Sequence, residues 1–158
     1  MLDLVIKNGE IIDGSGDKGF KGDIGIKDSK IAVVGNNIKE KSRKTIDATG
    51  YVVSPGFIDI HGNSEWTLYK NNKGESKIRQ GVTTELQGNC GFTAAPVRKE
   101  HYEDLIAFLE NTTLLSDEEK SKWHWPRQAD FIREELEERG LPFNIASLVG
   151  HGTIKVGV

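Results

Sequence analysis

The sequence predicts an α/β chain in which a small antiparallel β module precedes a parallel strand–helix layer. Three observations predict it. The first fifty residues repeat short apolar runs broken by turn dipeptides. After Pro55-Gly56 the runs alternate between compact β-type and helical spacing, the pattern of a parallel α/β sheet. The chain holds 18 glycines in 158 residues, above the usual share of about 7%, as expected for many tight turns and strand ends. The expected division is residues 1–54 for the β module, sandwich-like and partial, and 55–158 for the strand–helix layer.

In the first part, "LDLVIKNGEIID" alternates Leu2, Leu4 and Ile6 with polar or smaller residues and reaches Asn8-Gly9. That dipeptide predicts a hairpin, because both turn residues need positive φ. Further turns are predicted at Asp28-Ser29-Lys30 and at Thr49-Gly50. In the second part, the compact run from Phe57 to Ile60 reads as a buried parallel strand. A polar, helical stretch follows from about Lys73 to Arg79. "GVTTELQGNCG" is β-branched at Val82, Thr83 and Thr84 and closes on Gly-Asn-Cys-Gly. Leu105, Ile106 and Leu109 have helical spacing, and Ser116-Asp117-Glu118-Glu119 reads as a helix start. From Pro126 to Arg139 a helix is expected with Ala129, Ile132 and Leu136 on its apolar face, ended by Gly140 and Pro142. Asn144 to Val149 gives the third apolar strand, followed by Gly150-His151-Gly152.

Composition excludes some classes. The chain is 36% hydrophobic and 28% charged, with a net charge of −3. Its 21 basic residues are outnumbered by 24 acidic ones and spread along the chain, which argues against a nucleic-acid partner. No apolar run approaches the roughly 20 residues of a membrane span, and "MLDLVIKNGE" reads as a strand rather than a signal peptide. A single cysteine, Cys90, rules out an intrachain disulfide and fits a reducing, cytoplasmic setting. "GSGDKGFKG" lacks the strand-then-helix context of a phosphate loop, "EELEERG" reads as a solvated helix face, and "WHWP" as a packing cluster.

Chemistry gathers at the predicted strand ends, where parallel α/β folds build their sites. His61 could ligate a metal through a neutral ring nitrogen, or simply be a hydrogen-bonded histidine. Strand geometry puts Asp59, His61 and Asn63 on one face. Asp59 could then orient the His61 ring from behind, or be an ordinary polar residue. Asn63 stands where a second histidine would complete a ligand pair; its neutral amide favours a hydrogen-bonding role. Glu65 is the next carboxylate on that face only if the strand extends so far. A Cys90 thiolate would be a strong zinc ligand, whereas lone cysteines are often buried apolar residues. Its flanking glycines suit a backbone that passes close to a ligand. His151 is open to three roles: ligand, substrate contact or solvated turn residue.

"VVSPGFIDIHGNSEWTL", "IRQGVTTELQGNCGFTAAP" and "NIASLVGHGTIKV" together resemble the N-terminal part of the N-acyl-D-amino-acid deacylases, or D-aminoacylases, of the amidohydrolase superfamily. The resemblance implies a metal-dependent (β/α)₈ TIM barrel hydrolase, preceded by a small β domain, that cleaves the amide of a small N-acyl-D-amino acid. It implies Zn²⁺, with Cys90 a ligand alongside two histidines from later strands, and His61 part of a second, weaker metal position. The family's general acid/base aspartate is expected beyond residue 158. Asn63 departs from the family's second histidine.

About 100 residues follow Pro55, against about 250 for a complete barrel. The expectation is therefore an N-terminal fragment holding the first three βα units, inactive alone. Two alternatives stand beside it. One is a non-catalytic or split-protein subunit that meets a complementary chain completing the barrel. The other is a related cyclic amidohydrolase, against which Gly-Asn-Cys-Gly argues.

Overall fold

Alternating apolar residues build the first strand, β1 (Leu2–Ile11), and every other strand of its sheet follows from how β1 breaks. Asn8 takes a left-handed φ of 63° and interrupts the register between Ile6 and Gly9. Its N–H donates to Asp23 Oδ1 at 2.9 Å and its amide to Asp47 Oδ1 at 3.0 Å. Asn8-Gly9 is thus a bulge inside a continuous strand, not the hairpin its dipeptide predicts. The side-chain partners hold the positive φ without reversing the chain. β2 (Phe20–Lys27) pairs antiparallel with β1, and β3 (Lys30–Gly35) with β2. Between β2 and β3, Asp28 and Ser29 both have positive φ, 50° and 59°, which is the predicted two-residue turn.

β4 (Ser42–Asp47) and β5 (Val52–Val53) both run parallel to β1, on either side of its bulge. The Thr49-Gly50 turn joins them, with Asp47 accepting from the Thr49 N–H and hydroxyl. The sheet is therefore mixed, a correction to the antiparallel module predicted. Parallel pairing needs only that the chain cross over, which residues 36–41 allow. Leu2, Val5 and Ile38 form its small core.

The structure, a computed structural model, describes residues 1–113 and 115–158, and it divides into two compact units, Met1–Pro55 and Gly56–Val158. In the second unit β6 (Phe57–Asp59), β7 (Val82–Gln87) and β8 (Asn144–Ser147) form a parallel sheet in that order. Between them lie α1 (Glu65–Lys70), α2 (Glu75–Ile78), α3 (Tyr102–Thr113), α4 (Asp117–Ser121) and α5 (Gln128–Phe131), the last continuing as a π-type turn over Ile132–Glu137. α6 (His151–Gly157) follows β8. Ser116 starts α4 with a full capping box to Glu119, as its sequence predicts.

The main core is aromatic. Trp66, Tyr69, Trp123, Trp125 and Phe131 are all buried together with Leu105, Leu109 and Leu136. Trp123 and Trp125 meet edge to face at 5.1 Å and 79°, a geometry worth about 1 kcal/mol beyond area burial. The "WHWP" packing cluster is thus real, with His124 exposed between its tryptophans.

Three local expectations change. Ala129 is exposed, and the buried residues of α5 are Gln128, Asp130 and Phe131, while Leu136 is buried and Ile132 packs against the core as predicted. β8 ends at Ser147 rather than Val149. Phe57, Ile58 and Ile60, in the run predicted buried, are 58%, 66% and 72% exposed.

Candidate metal centre

β6 ends at Asp59, and the chain bends away through His61 and Gly62 into α1. Asp59 stays at the strand end, where Lys77 of α2 pairs with its Oδ2. Its Oδ1 accepts the His61 backbone N–H at 3.1 Å. Lys77 holds the Asp59 carboxyl below the ordinary range, first by hydrogen bonding, with the His61 N–H adding to the effect. Asp59 therefore orients the main chain of His61, while the imidazole is left for another partner.

That partner is Cys90. β7 closes on Gly88-Asn89-Cys90-Gly91, in which Gly88, Cys90 and Gly91 all have positive φ, 78°, 58° and 83°. Glycine takes this region freely, but for cysteine it costs about 1–2 kcal/mol. The strained turn brings Cys90 Sγ to 3.3 Å from His61 Nε2. Asn89 locks it by donating to Leu86 O at 2.8 Å and to Gly62 O at 3.1 Å. Cys90 is exposed, which removes the reading of it as a buried apolar residue.

Comparisons with known proteins give the chain's family. Residues 44–156 match the model of the amidohydrolase family. The chain belongs to that family. This amidohydrolase chain is 32% identical to the D-aminoacylase of Alcaligenes xylosoxydans xylosoxydans over 99% of its own length and 31% of the relative's. A solved D-aminoacylase, described for its binuclear metal centre, matches at a TM-score of 0.82 with 34% identity, covering 100% of this chain and 31% of that one. The N-acyl-D-glutamate deacylase of Bordetella bronchiseptica, solved with zinc and a phosphonate inhibitor, matches at 0.81 with 31% identity, over 99% and 31%. The chain thus spans about a third of the length of these metal-dependent hydrolases.

The donor chemistry of the amidohydrolase chain fits a metal of zinc type. On one tetrahedral zinc, nitrogen and sulfur donors at about 2.0 and 2.3 Å stand about 3.5 Å apart, close to the 3.3 Å between Nε2 and Sγ. Two donors are what the site offers: among the described residues no group of three or more His, Cys, Asp or Glu side chains is placed to hold an ion.

The remaining candidates lie elsewhere. Asn63 is half-buried, and its buried Oδ1 has no hydrogen-bond partner among the described residues. His61 is exposed, so the bend after Asp59 undoes the shared face that strand spacing predicts. His151 is the exposed first residue of α6, and its ring makes no hydrogen bond or ion pair among the described residues. Its neighbours Gly150 and Gly152 nevertheless approach the main chain of Gly91, which follows Cys90.

Sequence reasoning missed Lys77, Glu85, Asn89 and Gln128. Glu85 had a readable signal: a carboxylate inside the β-branched run "VTTELQ" must be exposed or specifically paired. It is fully buried, 3.8 Å from Lys77 Nζ. Glu65, left doubtful as a strand residue, begins α1 and is fully buried. Burial, reinforced by the negative charge of Glu85 and opposed by the Ala94 N–H, pushes its carboxyl up to about 8.

Proposed function

We propose that this chain is the N-terminal part of a Zn²⁺-dependent N-acyl-D-amino-acid deacylase of the cytoplasm. In this reading residues 1–54 form the small β module, and 55–158 the first three βα units of a TIM barrel. The observation that carries it is the 3.3 Å approach of His61 Nε2 and Cys90 Sγ at adjacent parallel strand ends.

When bound, the metal would polarise the acyl carbonyl and lower the pKa of a coordinated water. The residues of this chain prepare that chemistry. Cys90 contributes a thiolate, and the left-handed turn aims it at His61. Asp59 fixes the His61 main chain, and Lys77 fixes Asp59. His151, between two glycines that approach Gly91, would in this reading contact the substrate. No group in this set is positioned to return a proton to the leaving amine, and catalytic zinc sites use three protein ligands.

The test is metal titration of the purified chain beside an activity assay. Zn²⁺ or Co²⁺ is expected to bind at one site that requires Cys90, without release of D-amino acid from N-acetyl-D-methionine. Absence of Cys90-dependent binding overturns the metal assignment. Metal-dependent turnover by the chain alone overturns its incompleteness.

A further inference from the structure

Two loops carry the candidate ligands, and each is tied down by a buried carboxyl group from the other's neighbourhood. Glu85, on β7 just before the Cys90 loop, reaches under the His61 loop, where its Oε1 accepts the Ser64 N–H at 3.0 Å. Glu65, just after the His61 loop, is linked to the Cys90 loop through Gln128, which donates to its Oε2 and accepts the Ala95 N–H. Both carboxyl groups are fully buried. The fit around Glu85 is close: a Cβ on Gly62 would run into its carboxylate, so glycine is required there for the loop to lie on it.

Each tie has a brace. Lys77 spans Asp59 and Glu85, joining the support of the His61 main chain to that of Ser64. Gln128 of α5 donates to Glu65 Oε2 at 3.5 Å and to Ser147 Oγ at 3.1 Å, while its Oε1 accepts the Ala95 N–H at 3.0 Å. A buried carboxyl held without a full set of partners is costly, and Glu65 Oε1 and Glu85 Oε2 have no hydrogen-bond partner among the described residues. Apolar residues would fill both positions at less cost if packing were all they supplied.

We propose that Glu85 and Glu65 are positioning residues, a reciprocal clamp that sets the spacing of His61 and Cys90, Glu85 by holding the His61 loop directly and Glu65 by holding the Cys90 loop through Gln128. The inference rests on the metal-site reading only for its purpose. The clamp itself is a statement about the metal-free chain.

The test uses the full 158-residue chain in three variants. Glu85→Gln keeps an acceptor for the Ser64 N–H, Glu85→Leu removes it, and Ser64→Pro deletes the donor at a φ of −73° that proline adopts. The first readout is the nuclear Overhauser cross-peak between the His61 ring and the Cys90 β-protons without metal. The second is Co²⁺ affinity, followed by the thiolate-to-cobalt absorption band. The wild-type chain and Glu85→Gln keep the cross-peak. Glu85→Leu and Ser64→Pro lose it and bind Co²⁺ about tenfold or more weakly, as for other residues that orient ligands.

Thermal unfolding is recorded in parallel. A folded Glu85→Leu chain with the wild-type cross-peak overturns the clamp, as does a Glu85→Gln chain that fails as completely as Glu85→Leu. If Glu85→Leu does not fold, Ser64→Pro decides by the same criteria. A wild-type chain that shows the cross-peak but binds no Co²⁺ leaves the clamp standing and removes the metal reading instead.

Discussion

His61 Nε2 and Cys90 Sγ lie 3.3 Å apart across 29 residues of chain, each at the end of one of two adjacent parallel strands. In the function proposed above, Cys90 and His61 at that spacing would be two unequal donors to one metal ion. The thiolate is the stronger zinc-type donor and gives cobalt its near-ultraviolet charge-transfer absorption. Cys90→Ser should abolish that band and lower Co²⁺ affinity by more than about tenfold. His61→Ala should retain the band at reduced affinity. Absorption titration checks both, and a Cys90→Ser chain that binds as the wild type does would place the ion elsewhere.

Lys77 links the site to its support by pairing with Asp59, whose other oxygen holds the His61 N–H. Lys77→Met should cost about 1 kcal/mol at neutral pH, since the pair is only partly exposed. The sign with pH follows from the depressed Asp59 carboxyl. Its stabilisation is present above the ordinary carboxylate value and is lost as pH falls through the lower folded value. The gap between wild type and Lys77→Met should therefore close toward pH 3. Urea unfolding at pH 7 and pH 3 measures it.

Much of this arrangement is legible in the sequence, and the part that is not has a physical cause. "PGFIDIH" and "GVTTELQGNCG" mark two strands and the residues at their ends, because strand ends, glycines and ligand-type side chains are local features. The partners of those residues are not local. Asp59 with Lys77, Glu85 with Ser64 and Gln128 with Ala95 arise only when separate elements pack. Asn63 shows the limit of periodicity: two-residue spacing places it beside His61 only while the strand continues, and β6 stops at Asp59. In the first unit Asn8-Gly9 read as a hairpin because positive φ is common to turns and bulges. Asp23 and Asp47, distant in sequence, decide which one forms.

Glu65 makes stability depend on pH in the opposite sense to Asp59. Its folded carboxyl titrates at about 8 against an ordinary 4.5. The stability it permits is present in full below the unfolded value, falls as pH rises, and is gone once pH passes the folded value. The total is at most about 5 kcal/mol. Glu65→Gln preserves a neutral acceptor for Gln128 and removes the titration. Its unfolding free energy should stay flatter than that of wild type from pH 5 to pH 8.5, with the variant the more stable at the upper end. Parallel curves for the two proteins would show that Glu65 is ionised in the folded chain.

Gly150, at the start of α6, controls the Cys90 turn. Its φ of −66° and ψ of 123° suit any residue, so its need for glycine is one of space. A Cβ there would stand 2.5 Å from Gly91 O and 2.9 Å from Phe92 N, and these are main-chain atoms that cannot rotate aside. Gly150→Ala must therefore displace the backbone next to Cys90, at a cost of about 1–3 kcal/mol. It should also weaken Co²⁺ binding together with the His61–Cys90 cross-peak. Gly140→Ala is the matched control. It faces open space at a φ of +85°, so it should cost about 1 kcal/mol in backbone strain and leave cobalt binding unchanged. Equal effects of the two substitutions on cobalt affinity would mean that general destabilisation, rather than the approach of Gly150 to Gly91, governs the site.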